Sequence, residues 1–203
     1  MISERTRNIG KTALNVLLFC GALAIIVQNI SLIAENRSLH KAVDRITAQI
    51  QAGQKIGDEL SATSADGRLT LIPLPASAAE HLLLITFSPG CPACQANQEE
   101  WTKLARGLEQ RGWRVLWVSR DRMDVSIEYC KQHQIPLSDV FGEPPYYTYL
   151  QLGLSRVPNT LVVGPGGIIQ KIWPGQFDSA QWKQILAYFN MEEGTSSSAT
   201  AVR

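Results

Sequence analysis

The pattern of apolar residues divides the chain into an N-terminal apolar run, a narrow amphipathic stretch and a C-terminal domain. The run from Thr12 to Ala34 contains no charged residue, and about 20 consecutive apolar residues cross a bilayer as a helix. In the stretch that follows, apolar residues recur with a helical period at Leu39, Val43, Ile46 and Ile50. The pattern therefore predicts a transmembrane helix at 13–34 and a helical stalk or linker at 35–56.

From residue 57 onward, the pattern predicts strands that alternate with helices. Strands are predicted at 68–74, 81–88, 113–119, 160–163 and 168–173, and helices at 95–111, 125–134, 143–152 and 179–189. The sequence Gly164-Pro165-Gly166-Gly167 between the last two strands favours a hairpin. This order predicts an α/β domain at 57–190, with a parallel sheet core and an antiparallel edge. The tail at 191–203 is rich in Ser, Thr and Ala and is predicted to be disordered.

The residues at 1–12 predict the orientation of the apolar run. Arg5, Arg7 and Lys11 precede the run, against one acid, Glu4, and the positive-inside rule then leaves the short N-terminus in the cytoplasm. The domain is expected outside the cytoplasmic (inner) membrane, in the periplasm or another extracytoplasmic space.

Two alternatives to an uncleaved anchor remain open. A cleaved signal peptide needs a small-x-small site, and Ala22-Leu23-Ala24, the one candidate, lies inside the apolar run. A lipoprotein would use Cys20, but Phe19 stands before it where a small residue is expected.

Composition narrows the function classes. The 203 residues carry a net charge of +1, so the total charge favours neither a nucleic-acid binder nor a trap for acidic substrates. Four cysteines are too few for a disulfide-stapled scaffold, and the domain is long enough to bury its own core.

The most informative motif is Cys91-Pro92-Ala93-Cys94, which stands between a predicted buried strand and a predicted helix. A Cys-x-x-Cys pair at such a junction is typical of redox sites. The free N–H groups and the dipole at a helix N-terminus favour the thiolate, which is the form that attacks disulfides. Cys94 lies about one helical turn further on and could close a ring with Cys91.

Together with this motif, three further segments carry a resemblance to a known family. They are Ile56-Gly57-Asp58, Val157-Pro158-Asn159-Thr160 and Gly164-Pro165-Gly166-Gly167-Ile168-Ile169, which occur in this order on either side of Phe87-Ser88-Pro89-Gly90-Cys91-Pro92-Ala93-Cys94. Over roughly residues 56–190 the chain resembles the membrane-anchored thioredoxin-like proteins of the TlpA/ResA group. It is also similar to the accessory thiol oxidoreductases of methylamine dehydrogenase maturation.

The resemblance implies a thioredoxin-like fold, a mixed central sheet flanked by helices, and thiol–disulfide oxidoreductase activity. It makes Cys91 the attacking thiol and Cys94 the resolving thiol, with Pro92 and Ala93 as supporting residues. Pro158 matches the family's cis-proline, which would present the backbone of Val157 to an extended substrate chain.

The same resemblance implies the partners. They are protein thiol and disulfide substrates, among them apocytochromes c in cytochrome c biogenesis, and a membrane-embedded thiol electron donor. The two cysteines themselves carry the electrons, so we expect neither an organic cofactor nor a metal.

Three positions depart from the family patterns. Gly90 stands where a Trp commonly precedes the first cysteine, and Asn97 and Ile85 stand where two branches of the family have carboxylates. No familiar proton-handling acid is therefore expected at the site.

Two other readings remain open beside the redox function, a metal-handling protein that binds zinc or copper and a scaffold. Cys130 and His133 form a Cys-x-x-His pair that could join Cys91 and Cys94 in a Cys₃His zinc site. A copper-handling protein of the same fold would differ in its cysteine spacing and would need a distal histidine. A third reading is a scaffold in which the disulfide is only structural.

The apolar run generates a prediction about topology. An alkaline phosphatase fused after Gly57 should be active in cells, since the domain is expected beyond the membrane. A cytoplasmic reporter that works at this junction while the phosphatase stays inactive would contradict the predicted orientation.

Overall fold

The structure, a computed structural model, describes residues 50–192 together with positions 21, 26, 28, 29 and 31–33. The chain divides into two compact units, Met1–Ile46 and Thr47–Arg203. The seven described positions of the first unit are helical and exposed. No helix among the described residues combines the length and the apolar character needed to span a bilayer. The predicted anchor at 13–34, the stalk up to residue 49 and the tail beyond residue 192 lie largely or wholly outside the described residues.

The second unit contains seven strands and five α-helices among its described residues. The strands are β1 (Glu59–Ser64), β2 (Leu69–Pro73), β3 (Leu82–Phe87), β4 (Arg114–Ser119), β5 (Val140–Gly142), β6 (Asn159–Gly164) and β7 (Ile168–Pro174). The helices are α1 (Pro92–Ala96), α2 (Gln98–Glu109), α3 (Met123–Gln132), α4 (Tyr146–Gln151) and α5 (Ser179–Tyr188), with short 3₁₀ turns at Leu137–Asp139 and Pro165–Gly167.

The strands form one mixed sheet in the order β2-β1-β5-β4-β3-β6-β7. Strands β3, β4 and β5 run parallel, while β6 and β7 on one side and β1 and β2 on the other pair antiparallel. This arrangement confirms the predicted parallel core with an antiparallel edge. All six residues of β3 are buried, as expected for a strand covered on both faces.

The two faces of the sheet pack into two apolar clusters. One cluster joins Leu83, Ile85 and Phe87 to residues of α2, α3 and α5, among them Trp101, Tyr129 and Ile185. The other joins Leu82 and Leu84 to Leu152 near α4 and to Ile50 and Ile56. Because successive side chains of β3 point to opposite faces of the sheet, this one strand contributes to both apolar clusters.

Residues 50–56 differ from the predicted end of a helical stalk. They form turns and a bridge to β7. Gly53 N–H donates to Ile169 O of this strand at 2.7 Å, and Ile56 N–H donates to Gly167 O, directly before the strand, at 2.8 Å. Ile50 and Ile56 are buried, so burial rather than a helical period explains these two apolar positions. The packed domain therefore begins before residue 57.

Two strands are absent from the sequence prediction. Strand β1 lies in a stretch that reads as polar turns, because only Leu60 and Ala62 of its six residues are fully buried. Strand β5 has three residues, too few for any periodicity to be visible.

The predicted helix at 95–111 is two helices that meet at Asn97. Its side chain is buried, donates a hydrogen bond from Nδ2 to Gly175 O at 3.0 Å and accepts one at Oδ1 from Phe177 N–H at 2.8 Å. These bonds hold the α1–α2 junction to the loop after β7. Asn97, one of the three positions at which the sequence departs from the family patterns, thus has a structural role.

Replacing Asn97 with Ala should destabilise the domain. Two half-buried backbone groups, Gly175 O and Phe177 N–H, lose their partner. Each loss costs about 1–2 kcal/mol, so we expect about 2–4 kcal/mol less free energy of unfolding. Denaturant unfolding of Asn97→Ala measures this loss, with Gln110→Ala at the exposed end of α2 as the control. Equal stabilities of the two variants would show that the junction does not depend on these bonds.

Candidate functional site

The register between β3 and β6 brings the two sequence motifs together. Thr86 lies opposite Asn159 in this antiparallel pair, and the Asn159 N–H donates to Thr86 Oγ1 at 3.1 Å. The loop that follows β3 and the loop that precedes β6 consequently meet at one edge of the sheet. There the Cys91 Sγ lies 3.8 Å from Val157 O, to which it donates.

Cys91 is the N-cap of α1. Its backbone is extended (φ −90°, ψ 117°), and its sulfur accepts a hydrogen bond from Cys94 N–H at 3.4 Å. Pro92 occupies the first helical position, where a missing N–H costs nothing. Cys91 is half-buried and Pro92 is exposed, so the Cys91 sulfur combines a free helix N-terminus with access from solvent.

Cys94 lies behind Cys91 and is completely buried. Both are free thiols in the structure. Burial, and then the neighbouring Cys91 sulfur, raise the pKa of the Cys94 thiol to about 12. The two cysteines therefore differ in access to solvent, and Cys94 carries its proton at neutral pH.

The loop before β6 forms the other side of the site. The Val157–Pro158 peptide bond is cis, as the resemblance leads one to expect. Pro158 is buried and Val157 is half-buried. A cleft of about 330 Å³ opens here, and its lining includes Val157, Pro158, Gly153 and Pro174.

Sequence reasoning missed a carboxylate near the cysteines. Buried Ser88, three residues before Cys91, donates from Oγ to Asp121 Oδ2 at 2.5 Å. The Ser88 carbonyl also accepts from Cys91 N–H at 3.1 Å. Asp121 follows β4, and the carboxyl ends of parallel strands β3 and β4 meet at the same edge of a sheet. Because both strands were predicted from the sequence, the same rule could have placed Asp121 near the cysteine motif.

Ile85 and Asn97, the two positions at which the sequence departs from the family's carboxylates, both have structural surroundings. Ile85 is fully buried in the apolar cluster, and Asn97 binds backbone groups of the loop after β7. Two uncharged side chains form a buried hydrogen bond nearby: the Tyr129 hydroxyl donates to Gln98 Oε1 at 2.6 Å. Burial first, and then the proximity of Cys94, raise the pKa of Tyr129, which keeps the phenol protonated.

The structure does not assemble the alternative metal site. Cys130 is fully buried and burial raises its pKa to about 12, while the His133 ring packs against Tyr129 with centroids 4.4 Å apart. Among the described residues, no group of three or more His, Cys, Asp or Glu side chains is placed to hold a metal ion. Cys130 and His133 therefore do not join the two site cysteines.

No protein-family model matches the chain, and no curated protein matches its sequence.

Solved structures do match the fold. The chain is similar to the thiol:disulfide interchange protein DsbE from Chlorobium tepidum, with a TM-score of 0.53 and 16% identity over 68% of this chain and 98% of that one. It is also similar to a thioredoxin from Neisseria meningitidis, with a TM-score of 0.51 and 20% identity over 66% and 89% of the two chains. A third similar structure is the thioredoxin domain of a thiol-disulfide oxidoreductase from Bacteroides vulgatus. The TM-score is 0.51 and the identity 13%, and the match covers 70% of this chain and 99% of that domain. The domain therefore has a thioredoxin-like α/β fold.

Proposed function

We propose that the protein is a membrane-anchored, extracytoplasmic thiol–disulfide oxidoreductase that exchanges disulfides with protein substrates through Cys91 and Cys94. The observation that carries the proposal is the asymmetric pair at the start of α1. Cys91 is accessible and lies 3.8 Å from Val157 O, while Cys94 is buried directly behind it. The similar solved structures, whose names include thiol-disulfide oxidoreductases, agree with this function.

The first step is attack by the Cys91 thiolate on one sulfur of a substrate disulfide. A bond forms between Cys91 and that sulfur, and the other substrate sulfur leaves as a thiolate. The Cys94 N–H bonds the Cys91 sulfur at 3.4 Å, which holds that sulfur at the start of α1, where a substrate disulfide can reach it.

The second step releases the substrate. Cys94 loses its proton to the departing thiolate and attacks Cys91, so that a Cys91–Cys94 disulfide forms and the second substrate thiol leaves. Two electrons have then passed from the protein to the substrate. Because burial keeps Cys94 protonated, it does not compete with Cys91 for the first attack.

Val157 supplies the surface for the substrate chain in this proposal. Its half-buried backbone lies beside Cys91, and an extended substrate segment can pair with it by main-chain hydrogen bonds. Apocytochromes c are substrates of the group that the sequence resembles, and we propose maturation of cytochrome c or of other periplasmic proteins as the role. A membrane-embedded thiol donor would restore the dithiol, and the run at 13–34 would hold the domain at the bilayer.

Alkylation should distinguish the three described thiols. In the reduced, folded protein at neutral pH, iodoacetamide should modify Cys91 at least about tenfold faster than Cys94 or Cys130, since the last two are buried and protonated. Mass spectrometry of time points locates the label, and denatured protein serves as the control in which all three react. Faster labelling of Cys94 than of Cys91 would contradict the proposed roles.

Single substitutions should separate attack from resolution. Cys94→Ala should accumulate mixed disulfides through Cys91, because the first step proceeds and the second cannot. Cys91→Ala should trap little. Cys130→Ala, the matched control, should keep most of the activity in a disulfide-reduction assay. Loss of activity in Cys130→Ala with normal folding would point to a function that needs the third thiol.

A further inference from the structure

Two clefts of opposite charge border the loop that carries Cys91. The first is the cleft at Val157 and Pro158 described above. The second, of about 660 Å³, includes Pro89 and Gln95, which lie on either side of Cys91 in the chain. The two linings share no residue, so a substrate chain that reaches the cysteine can enter either one.

Arg156 gives the first cleft its charge. It is the one charged residue in a lining otherwise made of apolar residues, glycines and Asn159. Its side chain is exposed, and it forms no ion pair with any residue that the structure describes. The backbone on either side is fixed, because Arg156 N–H donates to Gly153 O at 3.1 Å and its carbonyl accepts from Asn159 Nδ2 at 2.7 Å. Among the described residues, Arg156 is thus an exposed cation without an ion-pair partner, placed immediately before Val157.

Acidic residues give the second cleft the opposite charge. Asp124 and Glu128 on α3 both belong to its lining. Asp124 is paired with Arg122 at 2.9 Å, but Glu128 accepts only an amide hydrogen bond from Gln132 among the described residues. An anionic segment is therefore attracted to the first cleft and repelled by the second, whereas a cationic segment meets the reverse.

We propose that Arg156 selects substrate proteins whose reactive cysteine is flanked by acidic residues. This inference rests on the proposed function and names its substrate class. The acidic segment lies along the Val157–Pro158 cleft in an extended conformation, with its carboxylate beside Arg156 and its sulfur at Cys91. Arg156 is a specificity residue in this account and takes no part in the transfer of electrons.

Peptides that differ only in charge test the selection. Each probe is a short peptide whose central cysteine is a mixed disulfide with thionitrobenzoate, flanked on both sides by Glu, Gln or Lys. Release of thionitrobenzoate by the reduced protein is followed by absorbance at one fixed pH. At low ionic strength the Glu peptide should react about three- to tenfold faster than the Lys peptide, and about 0.5 M salt should remove most of the difference.

Substitutions assign the difference to one residue. In Arg156→Gln the ratio of the Glu-peptide rate to the Lys-peptide rate should fall to nearly one, and in Arg156→Glu it should invert. The control Arg106→Gln removes an exposed cation of α2 that belongs to neither lining and should keep the wild-type ratio. Circular dichroism checks that each variant is folded.

The outcomes separate this inference from the function on which it rests. The selection by Arg156 would be overturned if folded Arg156→Gln kept the wild-type ratio of Glu-peptide rate to Lys-peptide rate, or if this ratio fell equally in Arg106→Gln. Either result would leave the redox role of Cys91 intact. If the wild type released thionitrobenzoate from every peptide no faster than Cys91→Ala, the proposed function itself would fail.

Discussion

The site depends on the register between β3 and β6. Thr86 and Asn159 are paired across the two strands, and the Thr86 side chain holds the Asn159 backbone at this point. Cys91 follows Thr86 by five positions and Val157 precedes Asn159 by two, so this register fixes how the cysteine motif meets the proline motif. A slip of one residue would reverse which side chains of β3 face each layer. Both apolar clusters would then be lost together with the site, which ties the chemistry to the core.

Burial distinguishes the two cysteines. Cys91 caps α1 at the surface, whereas Cys94, one turn further on, lies in the core with its pKa raised. The same core contains Phe87 and Tyr129, whose rings stack with centroids 5.5 Å apart. In the proposed function the accessible end of α1 supplies the nucleophile and the apolar surroundings protect the second thiol. None of the buried residues that the structure describes is charged.

Much of this could be predicted from the sequence. The buried run at 81–88 and the glycine-rich hairpin each have a local signature, and the structure contains β3 and the β6–β7 hairpin where they were expected. The Cys-x-x-Cys motif also precedes a helix as expected, although α1 begins three residues before the predicted helix at 95–111. Their local signals are strong because burial on both faces, helix capping and turn geometry each demand particular residue types.

The remainder depends on contacts that no local pattern contains. The break between α1 and α2 comes from Asn97 binding a loop about 80 residues away in the chain. Asp121 reaches Ser88 only because β3 and β4 are neighbours. Residues 50–56 read as the end of a stalk because Ile50 continues the apolar stripe of the preceding segment, while the partners that bury Ile50 and Ile56 are distant in sequence.

The central claim is that Cys91 and Cys94 form a reversible redox couple. Equilibration of the protein with glutathione buffers of graded ratio, followed by acid quenching and mass spectrometry, tests it most directly. The account predicts a two-electron transition confined to Cys91 and Cys94, with a reduction potential in the range of about −270 to −120 mV found for thioredoxin-fold oxidoreductases. A protein in which these two cysteines stay reduced throughout, or in which the disulfide formed includes Cys130, would contradict it.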